Sequence, residues 1–349
     1  MSEILVLSRD DVARAVSFPE AIAAVREAYA SYSAGQAAAP VRTVVGAPRH
    51  NGTTLFMPGY VPNLDALGAK VVSVYADNPK AGLPTISAAV LLVNPRTGEP
   101  LALMEGGYLT ALRTGAGSAV AAELLARRDA RVAAVIGCGV QARTQVLALA
   151  QVRALTEVRA VDVDDQRAWR FAAQIRDELG PLGTQVYAVM TTDPEGPGGK
   201  GGDTLEAARA AVCGADIIIT ATTSRAPVFP AENVGPGTHI NAIGAFTPEM
   251  REIPEETLMA AGKVYVDSAE GCWAEAGDLL IPLAKGRIGR DRVGGEIGEV
   301  VAGRKPGREN ATEITIFKAV GMAVLDMAVG MLAYRKAVEA GQGTWVDIG

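Results

Sequence analysis

The stretch RVAAVIGCGVQARTQVLALA, residues 131–150, constrains the fold more than any other part of the chain. An apolar, β-branched run from Val132 to Ile136 meets a glycine turn, Gly137-Cys138-Gly139. A polar start at Gln141, Arg143 and Thr144 then leads into helical apolar positions at Val146, Leu147 and Ala150. This order of strand, turn and helix predicts the first unit of a parallel α/β sheet. Gly137 suits the tight turn, and Gly139, without a Cβ, lets a pyrophosphate approach the backbone amides at the positive end of the helix. The third glycine of the usual fingerprint is replaced near Ala142, which is still small enough for close helix-to-strand packing. A second strand, Val158 to Val163, carries Asp162, 25 residues after Gly137, where a ribose-binding carboxylate belongs.

The chain of 349 residues has room for about two domains, and 49% hydrophobic residues supply a sizeable core. Its net charge of −6 is interspersed, which disfavours nucleic acid or an anionic membrane as partner and leaves small-molecule chemistry. The opening MSEILVLSRDDVARAV carries acids where a signal peptide carries bases, and no apolar run approaches the roughly 20 residues that span a bilayer; a cytoplasmic protein is expected. Cys138, Cys213 and Cys272 are odd in number and widely spaced, so they are expected to be buried thiols rather than disulfides or zinc ligands. Only His50 and His239 are present, so no His-rich metal site is expected, and the chemistry falls to Lys, Arg, Asp and Glu.

Along the chain, Ser8 to Tyr32 reads as two helices, with acids at Asp10 and Asp11 opening the first and Pro19-Glu20 the second. Short strands follow between Pro40 and Tyr60, over Leu67 to Tyr75, over Gly82 to Val93 and over Leu101 to Met104, the last two joined by a turn at Asn94 to Pro100. Arg42 begins one strand and Lys70 interrupts an apolar one; taken alone, each is by default a solvated side chain. Glu105 to Ala126 is a small-residue helix whose only basic residue is Arg113. A guanidinium is costly to bury unless it meets an anion, and its planar fork suits a carboxylate. The Gly/Pro-rich stretch at 191–203 reads as a surface loop, since it lacks the ending and setting of a P-loop. Strands at Ala215 to Ala221, Thr238 to Gly244 and Val264 to Ser268 bring the parallel sheet to about five strands, with Thr222-Thr223-Ser224 at a carboxyl end, where ligands of such sheets gather. Glu313 to Glu339 opens like a strand and continues as a long helix expected to pack back on the first segment.

Several segments together resemble the ornithine cyclodeaminase/mu-crystallin family: KVVSVYADNPKAGLPTISAAVLLVNPRTGEPLALMEGGYLTALRTGAGSA, VIGCGVQA, HINAIGAFTPEMRE, GEIGEVVAGRKPGR and EITIFKAVG. The resemblance implies an α/β fold with a Rossmann-type NAD-binding domain, here 115–315, inserted in an α+β substrate and dimerisation domain, here 1–114 with 316–349, and a homodimer. It implies that Arg42 and Arg113 hold a substrate carboxylate, that Lys70 lies against the reacting carbon or nitrogen, and that Thr85 lines the site beside the nicotinamide. Gly137, Gly139, Val140, Gln141 and Asp162 match cofactor-binding positions, with Thr114, Thr220, Thr222 and Ile243 around them.

Two departures bear on the reaction. Where ornithine-cyclising members carry an aspartate two residues after the glycine matching Gly244, this chain has Phe246; where they carry a glutamate before their LMP-like segment, it has Leu55. With little left to hold a distal ammonium, cyclodeamination is disfavoured. The expectation is hydride transfer between NAD(H) and the α-carbon of a small amino or imino acid, as in alanine dehydrogenase-like or ketimine reductase-like members. The alternatives are a lyase that recycles its NAD and a non-catalytic binder of a small ligand. Asp162-Val163-Asp164 stands where members preferring the phosphorylated cofactor resemble Asn-Arg-Thr, so NAD(H) is expected over NADP(H).

Overall fold

The structure, a computed structural model, describes residues 3–191 and 203–349. The glycine-rich loop expected at 191–203 therefore lies, from 192 to 202, outside the described residues. The chain begins β1 (Glu3–Leu7), α1 (Arg9–Ala15), α2 (Phe18–Ser33), β2 (Thr43–Ala47), β3 (Gly52–Val61), β4 (Ala66–Tyr75), β5 (Ile86–Val93), β6 (Pro100–Glu105) and α3 (Gly106–Leu125). It continues β7 (Val132–Ile136), α4 (Val140–Leu149), β8 (Glu157–Val161), α5 (Asp165–Leu179), β9 (Gln185–Ala188), α6 (Thr204–Val212), β10 (Ile217–Thr220), β11 (His239–Ala242), α7 (Glu255–Ala260) and β12 (Lys263–Val266). Last come α8 (Ala269–Glu275), α9 (Gly277–Ala284), β13 (Gly295–Glu296), α10 (Ile297–Val301), β14 (Thr315–Lys318), α11 (Ala323–Glu339) and β15 (Thr344–Asp347).

These elements form two units, Met1–Ala116 with Met322–Gly349, and Gly117–Gly321. The boundary anticipated at 315/316 would cut β14, which instead lies between β11 and β12 in the sheet of the second unit, so the second boundary falls at 321/322.

In the first unit, β15-β1-β6-β5-β4-β3-β2 form one sheet, antiparallel except where β1 runs parallel to β6. Ser8 with Asp11 and Ser17 with Glu20 make capping boxes that start α1 and α2 at the expected places. The sheet alternates with period two: Val90, Leu92 and Met104 are buried, while Leu91 and Leu103 face outward. The long helix α11 packs on β3 and β4. It lies close because Gly59 and Gly68 stand opposite one another in the register, and a Cβ at Gly68 would meet Met327 Sδ at 3.0 Å and one at Gly59 would meet Ala323 at 3.1 Å.

The second unit holds eight strands in the order β13-β12-β14-β11-β10-β7-β8-β9, every pair parallel. The expected count of about five falls short because β13 is two residues long and the strand-like opening at Glu313, which the structure makes β14, reads in sequence with the helix that follows rather than with the parallel sheet. One face of the sheet, through Ile218, Ile240, Val264 and Ile316, packs with Ala208, Val212, Leu258 and Leu279 into a continuous apolar core. Cys138 and Cys272 are buried as expected, whereas Cys213 is exposed where the chain leaves α6.

Candidate active site

Lys70 is not a solvated side chain. It sits on the inward face of β4, opposite Met57 on β3 and Val90 on β5, with 2% of its surface exposed. The close approach of α11 delivers its partner, since Lys70 Nζ donates to both oxygens of Asp326, at 3.0 and 2.9 Å, and Asp326 has no exposed surface. Arg113, buried on α3, donates from Nε to Asp326 Oδ1 at 3.1 Å, and the Thr110 hydroxyl reaches the same oxygen at 3.4 Å. Arg42, one residue before β2, is near enough for its charge to act on Lys70. Two buried cations thus share one carboxylate, with the Arg42 charge nearby, leaving a buried excess of positive charge that an anionic ligand would compensate.

The electrostatics follow from this arrangement. Burial pushes the Lys70 ammonium down to about 8, against the pull of Asp326 upward, and the positive charges of Arg113 and Arg42 lower it further. Burial alone would raise the Asp326 carboxyl, but the Arg113 guanidinium and the Lys70 ammonium overcome it and hold the group below the usual carboxylate range. Asp326 therefore stays ionised, and the Lys70 ammonium gives up its proton more readily than an ordinary lysine.

The structure brings together Lys70, Arg113 and Arg42. It sets Thr85 apart, exposed just before β5, where its carbonyl accepts from Tyr75 N. That register position is five residue pairs along β4 from Lys70, about 16 Å at the usual strand rise. The Thr114 hydroxyl is turned back onto the Thr110 carbonyl at 2.7 Å. Asp326 itself escaped the sequence reading, although the signal was there: one acid in the apolar run AVLDMAVGM calls for the same reasoning as the lone Arg113.

In the second unit the remaining candidates gather at the carboxyl ends of adjacent strands. Gly137 has φ +91°, and a Cβ there would lie 2.7 Å from the Ala221 carbonyl, so the turn requires glycine. Gly139 caps α4 without any side-chain hydrogen bond, and the space where its Cβ would stand is open. The first amides of α4, at exposed Val140 and at Gln141, are thus left for an anion. Asp162 follows β8 and is buried, not a surface acid. Its carboxylate accepts from Cys138 N at 2.8 Å, Asp164 N at 3.0 Å and Arg167 Nη1 at 3.3 Å, so it braces the glycine turn. Arg167, reaching in from α5, is a neighbour the sequence reading missed. Thr222 and Ile243 follow β10 and β11, and buried Thr220 Oγ1 and Gln141 Oε1 have no hydrogen-bond partner among the described residues. An open glycine cradle, uncapped helix amides and orphaned polar atoms fit a bound dinucleotide. Among the described residues, no group of three or more His, Cys, Asp or Glu side chains is placed to hold a metal ion.

A dinucleotide cradle on a parallel sheet, in a chain that also buries a carboxylate-seeking group of cations, defines a nicotinamide-dependent oxidoreductase, and the cofactor is NAD(H). The chain belongs to the ornithine cyclodeaminase/mu-crystallin family, whose sequence pattern matches residues 2–197 and 202–341. It is 38% identical over 344 residues to the Delta(1)-pyrroline-2-carboxylate reductase of Bacillus cereus, covering 99% of this chain and 100% of that one. The structure of the Thermococcus litoralis Delta(1)-pyrroline-2-carboxylate reductase in complex with NADH and L-proline matches with a TM-score of 0.89 at 42% identity, over 98% of this chain and 99% of that one. An archaeal alanine dehydrogenase dimer with bound NAD matches with a TM-score of 0.86 at 36% identity, over 99% and 100%.

Proposed function

We propose that this enzyme interconverts a small 2-imino acid and the corresponding amino acid, with the substrate held in the first unit by Lys70, Arg113 and Arg42 and NAD(H) held at the strand ends of the second. The observation that carries this reading is the pair of buried cations, Lys70 and Arg113, on the one carboxylate of Asp326, with the Arg42 charge beside them. The substrates named for the relatives share a carboxylate beside a C=N or CH–N bond, the one anion such a cluster needs. Arg113 meets Asp326 through Nε, and its Nη edge takes that carboxylate, with the Arg42 charge adding to the attraction. Lys70 Nζ donates a proton to the imine nitrogen during reduction and takes it back during oxidation. Asp326 acts through Lys70 and Arg113 and is a positioning residue. The bound cofactor supplies or accepts the hydride. In this reading Gly137, Gly139, Val140 and Gln141 receive the pyrophosphate, Asp162 the ribose, and Thr220, Thr222 and Ile243 line the nicotinamide.

Half-buried Leu55 and Phe246 offer no charge to a distal ammonium, which supports a substrate with an uncharged side chain. The enzyme works as a homodimer, supported by the apolar outer face of the first sheet, and in the cytoplasm, supported by three cysteines that remain unpaired.

The test follows NADH oxidation against cyclic imines and against 2-oxo acids with ammonia or methylamine, with ammonia release from ornithine as a control. Oxidation with one imine class confirms the reading and names its substrate. Ammonia release from ornithine without net NADH change would replace it with a cyclodeaminase, and silence in both assays would favour a binding protein. The same assay with NADPH is expected to give a much lower kcat/KM, because a 2′-phosphate would stand against the Asp162 and Asp164 carboxylates; equal efficiency would overturn the assignment of Asp162.

A further inference from the structure

Glu252, in the loop before α7, has no exposed surface and touches neither the Lys70 cluster nor the glycine turn. Its Oε1 accepts from Thr222 N at 2.6 Å and from the Thr222 hydroxyl at 2.8 Å, and its Oε2 accepts from Gly244 N at 2.7 Å and Ala245 N at 3.0 Å. One carboxylate thus receives four hydrogen bonds from two loops, those that follow β10 and β11. The loops touch beneath it, since a Cβ on Gly244 would lie 2.1 Å from Thr222 O and 2.3 Å from Thr222 N. Glu252 is itself held from behind. Asp278 Oδ1 accepts from Glu252 N and Ile253 N, at 2.7 and 2.9 Å, while Asp278 Oδ2 pairs with buried Lys318 Nζ at 3.0 Å, and Lys318 also donates to the Ala242 carbonyl at the end of β11.

A buried carboxylate that only filled space would be a liability, because burial favours its neutral form. Here all four partners donate, which only the ionised form can satisfy in full, and the Lys318 charge favours that form against burial and the Asp278 charge. We propose that Glu252 is a positioning residue for hydride transfer, fixing the loops after β10 and β11 in the one arrangement that seats the nicotinamide end of the cofactor. This rests on the reading that Thr222 and Ile243 line the nicotinamide.

Glu252→Gln keeps the size of the side chain but turns an amide N–H toward backbone donors of one loop, so that loop must shift. Misplacement of a reacting group by about 1 Å lowers turnover by about 100-fold. NADH affinity, read by fluorescence titration, is expected to change by less than about threefold, since the glycine turn, α4 and Asp162 hold the rest of the cofactor elsewhere. The deuterium isotope effect with NADH labelled at the transferred position is expected to rise. Unchanged turnover, or turnover, affinity and melting temperature falling together, would overturn the proposal. If Glu252→Gln does not fold, Asp278→Asn, which loosens Glu252 from behind, is expected to show the same split between kcat and NADH affinity, and its absence there overturns the proposal equally. Wild-type protein that failed to bind NADH would instead sink the underlying cofactor assignment.

Discussion

A lysine ammonium and an arginine guanidinium that share one fully buried aspartate are coupled tightly enough to be tested by pH. Lys70 is held near 8, so in the proposed mechanism its protonated form is the active one in imine reduction. The kcat/KM for reduction is expected to be level below about 8 and to fall by about tenfold per pH unit above it, while oxidation of the amino acid rises through the same range. The Asp326 charge raises the Lys70 value, so Asp326→Asn is expected to move the limb to lower pH, and a limb that stays in place would remove Asp326 from the mechanism. The same substitution leaves two buried cations uncompensated and is expected to lower stability by about 3–5 kcal/mol, read by denaturant unfolding. Lys70→Met is expected to abolish turnover while leaving NADH binding intact. The sequence made Arg113 conspicuous as the one base in a helix of small residues, whereas Lys70 and Arg42 gained meaning only from the resemblance. What remained illegible was their common anchor, since the pairing of Lys70 with Asp326 spans 256 positions and depends on a helix lying on a sheet.

The ends of the parallel strands are held by carboxylates more than by the turns themselves. Asp162 joins the turn after β7 to the end of β8, Glu252 joins β10 to β11, and Asp267 accepts from Ser268, Val320 and Gly321 N, joining the end of β12 to that of β14. Such loops expose backbone donors that no neighbouring strand satisfies, and an ionised acceptor fixes them where a hydroxyl would not. At α4 the arrangement is reversed, because its first amides carry no side-chain cap. Gly139→Asp is therefore expected to leave the melting temperature unchanged or to raise it, since aspartate is a good N-cap and the space is open. The same carboxylate repels a pyrophosphate, and NADH binding is expected to weaken by a factor of roughly ten or more, read by fluorescence titration; undiminished binding would move the cofactor away from this turn. Elements with a strong period, such as β5, β7 and α2, were readable from sequence to within a few residues. Those without one were not: β15 is exposed along its whole length and β13 has two residues, while the strand-like opening that is β14 could be read as a strand but not placed between β11 and β12.

At the scale of the molecule, the first unit presents a surface that its own helices leave uncovered. Helix α11 takes the face of the sheet that carries Met57, Lys70, Val90, Leu92 and Met104, and alternation sends Phe56, Val71, Leu91 and Leu103 to the other. Leu91 stands opposite Leu103 and Phe56 opposite Val71 in the register, so these side chains form a continuous patch, with Phe56, Leu91 and Leu103 exposed at 43, 38 and 41%. An apolar patch of this kind on a sheet face, rather than scattered single residues, is what a subunit interface requires. A second copy of the chain is the partner that the dimeric alanine dehydrogenase relative supports. The protein is expected to sediment at twice its chain mass of 36.1 kDa, and the double substitution Leu91→Glu with Leu103→Glu to bring it to the single-chain mass. Charges buried at such an interface cost several kcal/mol, so the shift is expected to be complete at micromolar concentration. Because Leu91 and Leu103 point away from Lys70, the monomer is expected to keep its fold by circular dichroism. A double variant that still sediments as a dimer would place the interface on another face.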